Sequence, residues 1–266
     1  MMLRVLSLGA GVQSSALALM AAHGEIDMPD AAIFADTQWE PKKVYEWLGW
    51  LEKQLPFPVH HVTAGSMRDN IIAKTNANGR RYASVPWHMV MPDGERAMGR
   101  RQCTNEYKIV PIYRQVRALA GLEPRQRAKG IIVEQLIGIS TDEALRMKPS
   151  RHKWIRHRWP LIEKRMSRTD CLLWMTRHGY PQPPKSACIG CPYHSNAGWR
   201  AIREVPDELA DVIALDALIS EPVRGLRGRQ FMHRDCVPLA EVDLSTSADH
   251  GQVDMFNNEC EGMCGL

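Results

Sequence analysis

Hydrophobic and polar positions along the chain fall into short blocks whose spacing switches between that of a strand and that of a helix. Leu3-Arg4-Val5-Leu6-Ser7 is an apolar run that meets Gly9-Ala10-Gly11, and Ser14-Ser15-Ala16-Leu17-Ala18-Leu19-Met20, rich in helix formers, follows. The pattern predicts strand, glycine turn and helix. Ala31-Ala32-Ile33-Phe34-Ala35 is a second run, ending at Asp36-Thr37, and residues 41–54 carry Val44, Trp47, Leu48 and Leu51 at helical spacing. Residues 59–62 read as a third strand and residues 131–137 as a later one closing on Gly138. Such alternation predicts an α/β fold built on a mostly parallel, doubly wound sheet. Further helices are expected near residues 169–178 and 207–220. The polar stretch 76–101 is expected to be an ordered loop or lid, long enough to suggest function. After Glu221 the residues turn to Gly, Arg and polar types, which predicts an irregular C-terminal appendage.

At 266 residues and 44% hydrophobic content the chain can bury a full core, which excludes disorder for most of it. Its 34 Lys and Arg against 30 Asp and Glu leave a net charge of +4, which permits a nucleic-acid or nucleotide partner without arguing for one. No apolar stretch approaches the roughly 20 residues of a membrane helix, so no membrane partner is expected. The first residues lead directly into a strand-like run with none of the order of a signal peptide, and a cytoplasmic location is the expectation. Seven cysteines, an odd number, then favour metal or redox chemistry over a disulfide framework.

Ser7-Leu8-Gly9-Ala10-Gly11-Val12-Gln13-Ser14-Ser15 occupies the first strand-to-helix turn, where small residues let backbone N–H groups approach an anion at a helix N-terminus. The hydroxyls of Ser7, Ser14 and Ser15 add donors. No lysine follows the glycines, so this is not the common Gly-Lys-Ser/Thr nucleotide loop, nor is the spacing that of a dinucleotide fingerprint. A plain glycine-rich turn is the alternative. Asp36 and Thr37 fall at the same end of the next strand, where open α/β sheets bind ligands.

The turn resembles the PP-loop of N-type ATP pyrophosphatases and phosphoadenosine-phosphosulfate (PAPS) reductases, and Phe34-Ala35-Asp36-Thr37-Gln38 is similar to that superfamily's segment near the adenosine. The resemblance implies nucleotide contacts at Ser7, Gly9, Gly11, Val12, Gln13, Ser14, Ser15, Asp36 and Thr37. Gln13 stands where the pyrophosphatases usually carry Asp, closer to the reductase branch. Residues 138–146 resemble the superfamily's later phosphate-holding segment, implying roles for Gly138, Ser140, Asp142, Glu143 and Arg146, with the carboxylates holding Mg2+ if ATP is cleaved. A solvated loop is the alternative there. The resemblance covers residues 1–195, so residues 1–200 are expected to form the nucleotide-binding domain with its cysteine motif, and 201–266 a helix plus a Cys-containing tail.

Cys188-Ile189-Gly190-Cys191 is a pair spaced to reach one metal centre, and Cys103 is the natural third ligand. The order resembles iron–sulfur sulfonucleotide reductases and related thiolation enzymes, implying a 4Fe-4S cluster. A zinc staple or unliganded core thiols are the alternatives, with Cys171 and His194 as candidate fourth ligands. PAPS reductases are similar in carrying a nucleophilic cysteine in a C-terminal Glu-Cys-Gly segment, which implies a catalytic role for Cys260 or Cys264. Residues 146–159 interleave cations with aromatics, a composition suited to phosphates and stacked bases. Together these readings predict an adenine-nucleotide enzyme (ATP or PAPS/APS) of sulfur chemistry. One version is ATP-dependent adenylation and sulfur transfer to a nucleic-acid or small-molecule acceptor, with a sulfur donor; another is sulfonucleotide reduction with a thiol reductant protein. A non-catalytic nucleotide- or nucleic-acid-binding module with a structural zinc is the third.

Overall fold

The computed structural model describes residues 2–82, 85–123, 125–221, 227–246 and 249. Its first half runs β1 Leu3–Leu8, α1 Val12–Ala22, β2 Ala31–Asp36, α2 Lys42–Glu52, β3 Val59–Thr63, α3 Met67–Ile72, β4 His88–Val90 and β5 Arg96–Met98. A π-helical turn Asn105–Ile109 leads into α4 Val110–Leu119, and β6 Val133–Ile137, a 3-10 turn Thr141–Arg146 and β7 Ile155–Arg158 follow. The chain continues through α5 Pro160–Glu163, α6 Arg168–Arg177, α7 Asn196–Arg203, α8 Pro206–Ser220, β8 Arg229–Phe231 and a 3-10 turn Leu239–Glu241.

Five strands form a wholly parallel sheet in the order β3-β2-β1-β6-β7. From β1 the chain winds outward through β2 to β3, then crosses back to β6 on the other side of β1. The windings part at β1 and β6, which opens a crevice beyond the carboxyl ends of those two strands. Side chains alternate between the faces with the strand period of two. Leu6, Leu8, Ala32, Phe34 and Leu136 pack under α1, α2 and α6, whereas Val5, Ile33, Ala35 and Val133 pack under Ile112 and Val116 of α4. Both faces are covered, as the alternation of strand and helix in the sequence predicts for a doubly wound sheet.

A second core lies beside the sheet. Trp39, Trp87, Tyr107, Cys188, Trp199 and Val212 belong to it, so chain on either side of residue 200 shares one apolar interior. Here β4 pairs antiparallel with β5 and with β8. The stretch 76–101, expected as a loop, thus carries a hairpin closed by Gly94 at φ +86. Strands of three residues are too short to display an alternation in the sequence. Beyond Glu221, the described residues 227–246 contain β8 and one 3-10 turn and are otherwise irregular. They are anchored by Asp216 on α8, which accepts from the backbone N–H groups of Met232 at 2.8 Å and Leu239 at 2.7 Å. Burial pushes the Asp216 carboxyl above its ordinary value. Among the described residues no helix is long and apolar enough to cross a membrane.

Candidate functional site

The crevice at the parting of the strands is an open cleft with about 130 Å³ of interior space. Ser7, Gly9, Gly11, Val12, Gln13 and Ser14 line one wall; Gly138, Glu143 and Arg146 line another. The wall of the turn is the N-terminus of α1. Gly11 caps it without any side-chain hydrogen bond, and no acidic residue stands in the first turn, so the helix's positive end faces the cleft uncompensated. Ser14 Oγ accepts from Gly9 N–H at 3.1 Å and lies 3.3 Å from Gly11 O, which folds the turn tightly. Gly138 ends β6 directly against this helix. A Cβ there would lie 2.9 Å from both Cα and N of Ser14, so only glycine lets the two walls approach.

Lys108, Arg146 and Lys185 bring three cations to the lining, against the one carboxylate of Glu143. Glu143 is itself ion-paired with Arg146. Its other oxygen accepts from Gln13 Nε2 at 3.3 Å, and the same nitrogen donates to Ser140 Oγ at 3.3 Å. This contact explains Gln13, since an Asp in its place would set a like charge against Glu143. Anions, phosphates above all, are what such a cleft attracts.

Not every expected contact faces the cleft. Ser15 is fully buried and accepts from Trp47 Nε1 at 2.9 Å, fastening α1 to α2. Ser140 is likewise buried beneath Gln13. Asp36 is occupied by Gln38 N–H at 2.7 Å and Tyr45 hydroxyl at 2.8 Å, holding the left-handed Gln38 at the end of β2. Asp142 accepts from Arg168 N–H at 3.0 Å at the start of α6, so the two carboxylates expected to share Mg2+ face different partners. Lys185 and Ser186 are additions that the sequence reading passed over. They follow the rigid run Pro181-Gln182-Pro183-Pro184, and Ser186 Oγ donates to Gly9 O, which ties this segment to the glycine turn.

Thr37 lines a second, smaller cavity of about 20 Å³ together with Cys103, Cys188 and Cys191. The topology therefore gathers the three cysteines from segments 85 residues apart in sequence. Cys191 N–H donates to Cys188 O at 3.0 Å, and Ile189 N–H donates to Trp39 O at 2.9 Å, which seats the pair beside β2. Gly190 is required there, because a Cβ would lie 2.1 Å from the Trp39 ring. Cys188 Sγ lies 3.4 Å from Thr37 Oγ1 and donates to Glu40 Oε1 at 3.5 Å. Among the described residues, however, no group of three or more His, Cys, Asp or Glu side chains is placed to hold a metal ion. As arranged, the thiols do not make a closed ligand set.

Neither candidate fourth ligand joins that cavity. Cys171 sits in the core under α1, where burial pushes its thiol up to about 12. His194 bonds through Nε2 to Cys188 O at 3.0 Å, and desolvation lowers its pKa to about 4. Lys108 belongs to both cavities, held by the buried carboxylate of Glu40 at 3.0 Å. Cys260 and Cys264 lie outside the described residues.

No protein-family model matches the chain, and no curated protein matches it either. Among solved structures it is similar to the phosphoadenylyl-sulfate (PAPS) reductase from Candida auris in its phosphate complex. The likeness has a TM-score of 0.45 at 14% identity, covering 68% of this chain and 74% of that one.

Proposed function

We propose that the chain is a PP-loop enzyme of the PAPS reductase-like kind, binding an adenine nucleotide by its phosphates in the cleft beyond β1 and β6. One observation carries this reading: the uncompensated N-terminus of α1 and the cations Lys108, Arg146 and Lys185 converge on a single open cleft at the parting of the sheet. The helix end supplies fixed N–H donors. The side-chain cations neutralise phosphate charge, and Phe34 with Ile112 provides an apolar wall that suits a base.

In the transfer version, an acceptor oxygen attacks the α-phosphorus of ATP and pyrophosphate leaves with the electron pair of the broken P–O bond. A sulfur nucleophile from a donor then displaces AMP. The chain's share would be positioning and stabilisation of the developing charge on pyrophosphate by donors already in place. The neighbouring cavity of Cys103, Cys188 and Cys191, joined to the cleft through Lys108, supports a role for thiol chemistry in the same reading.

Calorimetric titration with ATP, PAPS and inorganic phosphate tests the cleft, with Arg146→Ala expected to weaken the preferred nucleotide by roughly 10- to 100-fold, as for loss of a charge-assisted hydrogen bond. Release of AMP and pyrophosphate supports transfer. Sulfite release from a sulfonucleotide, lost in Cys260→Ser or Cys264→Ser, would identify reduction instead. Iron, sulfide and zinc analysis of anaerobically purified protein distinguishes a cluster or a zinc site at the three cysteines from thiols alone. Failure of wild-type protein to bind any of the three ligands would refute the reading.

A further inference from the structure

We propose that the outer face of α4, with the two loops beside it, is a docking surface for the phosphate backbone of a nucleic acid that leads into the cleft. This deepens the transfer reading by naming the class of acceptor, and it rests on that reading only for its purpose. The charge is unevenly distributed. Residues 111–158 hold eleven Lys and Arg against four Asp and Glu, so with a whole-chain charge of +4 the remainder is net negative.

The tertiary structure gathers that charge from three segments. Arg117 on α4 donates to the carbonyl of Gln126 at 3.2 Å and lies 5.9 Å over the ring of Trp154. Tyr113, one turn earlier, stacks on His152 at 4.0 Å. These contacts pin the 125–129 segment and the 148–153 loop to the helix. Arg114, Arg125, Arg127, Lys129, Arg151 and Lys153 are all exposed on them. Among the described residues none of the six enters an ion pair, in contrast with Arg156 and Arg158, which are paired with the buried Glu134.

Cations left to solvent, in two loops braced against one helix, match a chain of phosphates better than any single small anion. The exposed His152, backed on one face by Tyr113, adds a flat platform on which a base can stack. Partial desolvation on its Tyr113 side and the neighbouring Arg117, His157 and Arg151 lower its pKa, which favours the neutral ring beside those cations. Helix α4 links this surface to the cleft, for its first turn lines the cleft while the 125–129 and 151–153 segments, which precede β6 and β7, lie towards the amino-terminal edge of the sheet. Ile112 lines the cleft and Arg117 stands five residues further along the same helix, about 8 Å at the helical rise. Arg146 lines the cleft too, and Lys148 and Arg151 follow it directly.

The test is fluorescence anisotropy with the full chain and a labelled RNA hairpin bearing single-stranded flanks, across a salt series and without nucleotide. The variant combines Arg125→Ala, Arg127→Ala, Lys129→Ala, Arg151→Ala and Lys153→Ala, all exposed side chains. It is expected to bind at least about tenfold more weakly and to lose roughly 3 to 4 from the slope of log affinity against log salt, at about 0.7 per phosphate contact. A control removes the exposed Lys43, Lys53 and Arg177 as alanine substitutions on the opposite side of the sheet, and its slope is expected to match wild type. ATP affinity, measured alongside, is expected to be unchanged in the five-fold variant. Absence of RNA binding by wild type, equal losses in variant and control, or equally tight binding to phosphatidylserine vesicles would overturn the proposal. Loss of ATP binding by wild type with RNA binding intact would sink the cleft reading and leave the docking surface standing.

Discussion

Gly138→Ala places a methyl group where β6 ends against the first turn of α1. Its Cβ would sit 2.9 Å from Cα and N of Ser14 and 3.1 Å from the carbonyl carbon of Gln13, all backbone atoms. Ordinary carbon contacts begin near 3.5 Å, so the helix N-terminus must retreat by roughly 0.6 Å or more. Overpacking of this kind costs about 1–3 kcal/mol of stability. The larger consequence is positional. The N–H groups of that turn form one wall of the cleft, and a site tolerates only about 0.5 Å of misplacement before its hydrogen bonds degrade. Nucleotide affinity is therefore expected to fall by roughly two orders of magnitude, the scale of a ~1 Å misplacement. The assay pairs calorimetric ATP titration with equilibrium urea unfolding. Gly49→Ala is the control: nothing lies within 4 Å of a Cβ at that position of α2, so a gain of about 0.5–1 kcal/mol with unchanged ATP binding is expected. If Gly138→Ala binds ATP as tightly as wild type, the close approach of β6 and α1 does not shape the phosphate site.

Other positions make separate predictions. Gly190→Ala drives a methyl group into the buried Trp39 ring, and at 2.1 Å the ring must move, so a loss of about 1–3 kcal/mol and a shifted tryptophan emission are expected. Asp216→Ala strands the N–H groups of Met232 and Leu239, at about 1–3 kcal/mol each, and amide exchange around β8 should accelerate before that of the parallel sheet. His194 is held neutral by desolvation, its pKa lowered from 6.5 to about 4. The unfolded chain then takes up the proton first, so stability is full above pH 6.5 and falls by about 2–3 kcal/mol as pH drops towards 4. In His194→Gln the decline of urea midpoints over that window should flatten; an unchanged slope would assign the acid sensitivity to other groups.

The parallel sheet was legible because its strands and helices are long enough to show their periods. The runs at residues 3–7 and 31–35 match β1 and β2, that at 131–137 contains β6 Val133–Ile137, and the spacing of Val44, Trp47, Leu48 and Leu51 matches the buried side of α2. The second core was not legible. Its strands β4, β5 and β8 have three residues each, too short to show an alternation, and β8 lies more than 130 residues from its partner β4, where local pattern carries no signal. Of the cleft, the glycine turn and the segment from Gly138 to Arg146 could be read, because backbone turns need particular residues wherever they occur. Lys108 and Lys185 could not be, because a lysine in a polar stretch looks the same in solvent as at a site.

By itself, then, the sequence determined the longer strands β1, β2, β3 and β6 and the helices α1, α2, α6 and α8, the glycine turn opposite the second strand's Asp36-Thr37, and the presence of a spaced cysteine pair. These are local properties, set by periodicity and backbone freedom within a few residues. Tertiary structure decided the rest. It placed Gly138 against Ser14, turned Ser15 and Asp36 towards Trp47 and Tyr45 rather than the cleft, and brought Cys103 to the cavity of Cys188 and Cys191. It also paired Arg156 with Glu134 and Arg158 with Asp27, Glu134 and Glu163, while leaving the cations beside α4 to solvent. The reason is that a side chain's chemistry depends on its neighbours in space, and a sheet order of β3-β2-β1-β6-β7 draws those neighbours from distant parts of the chain.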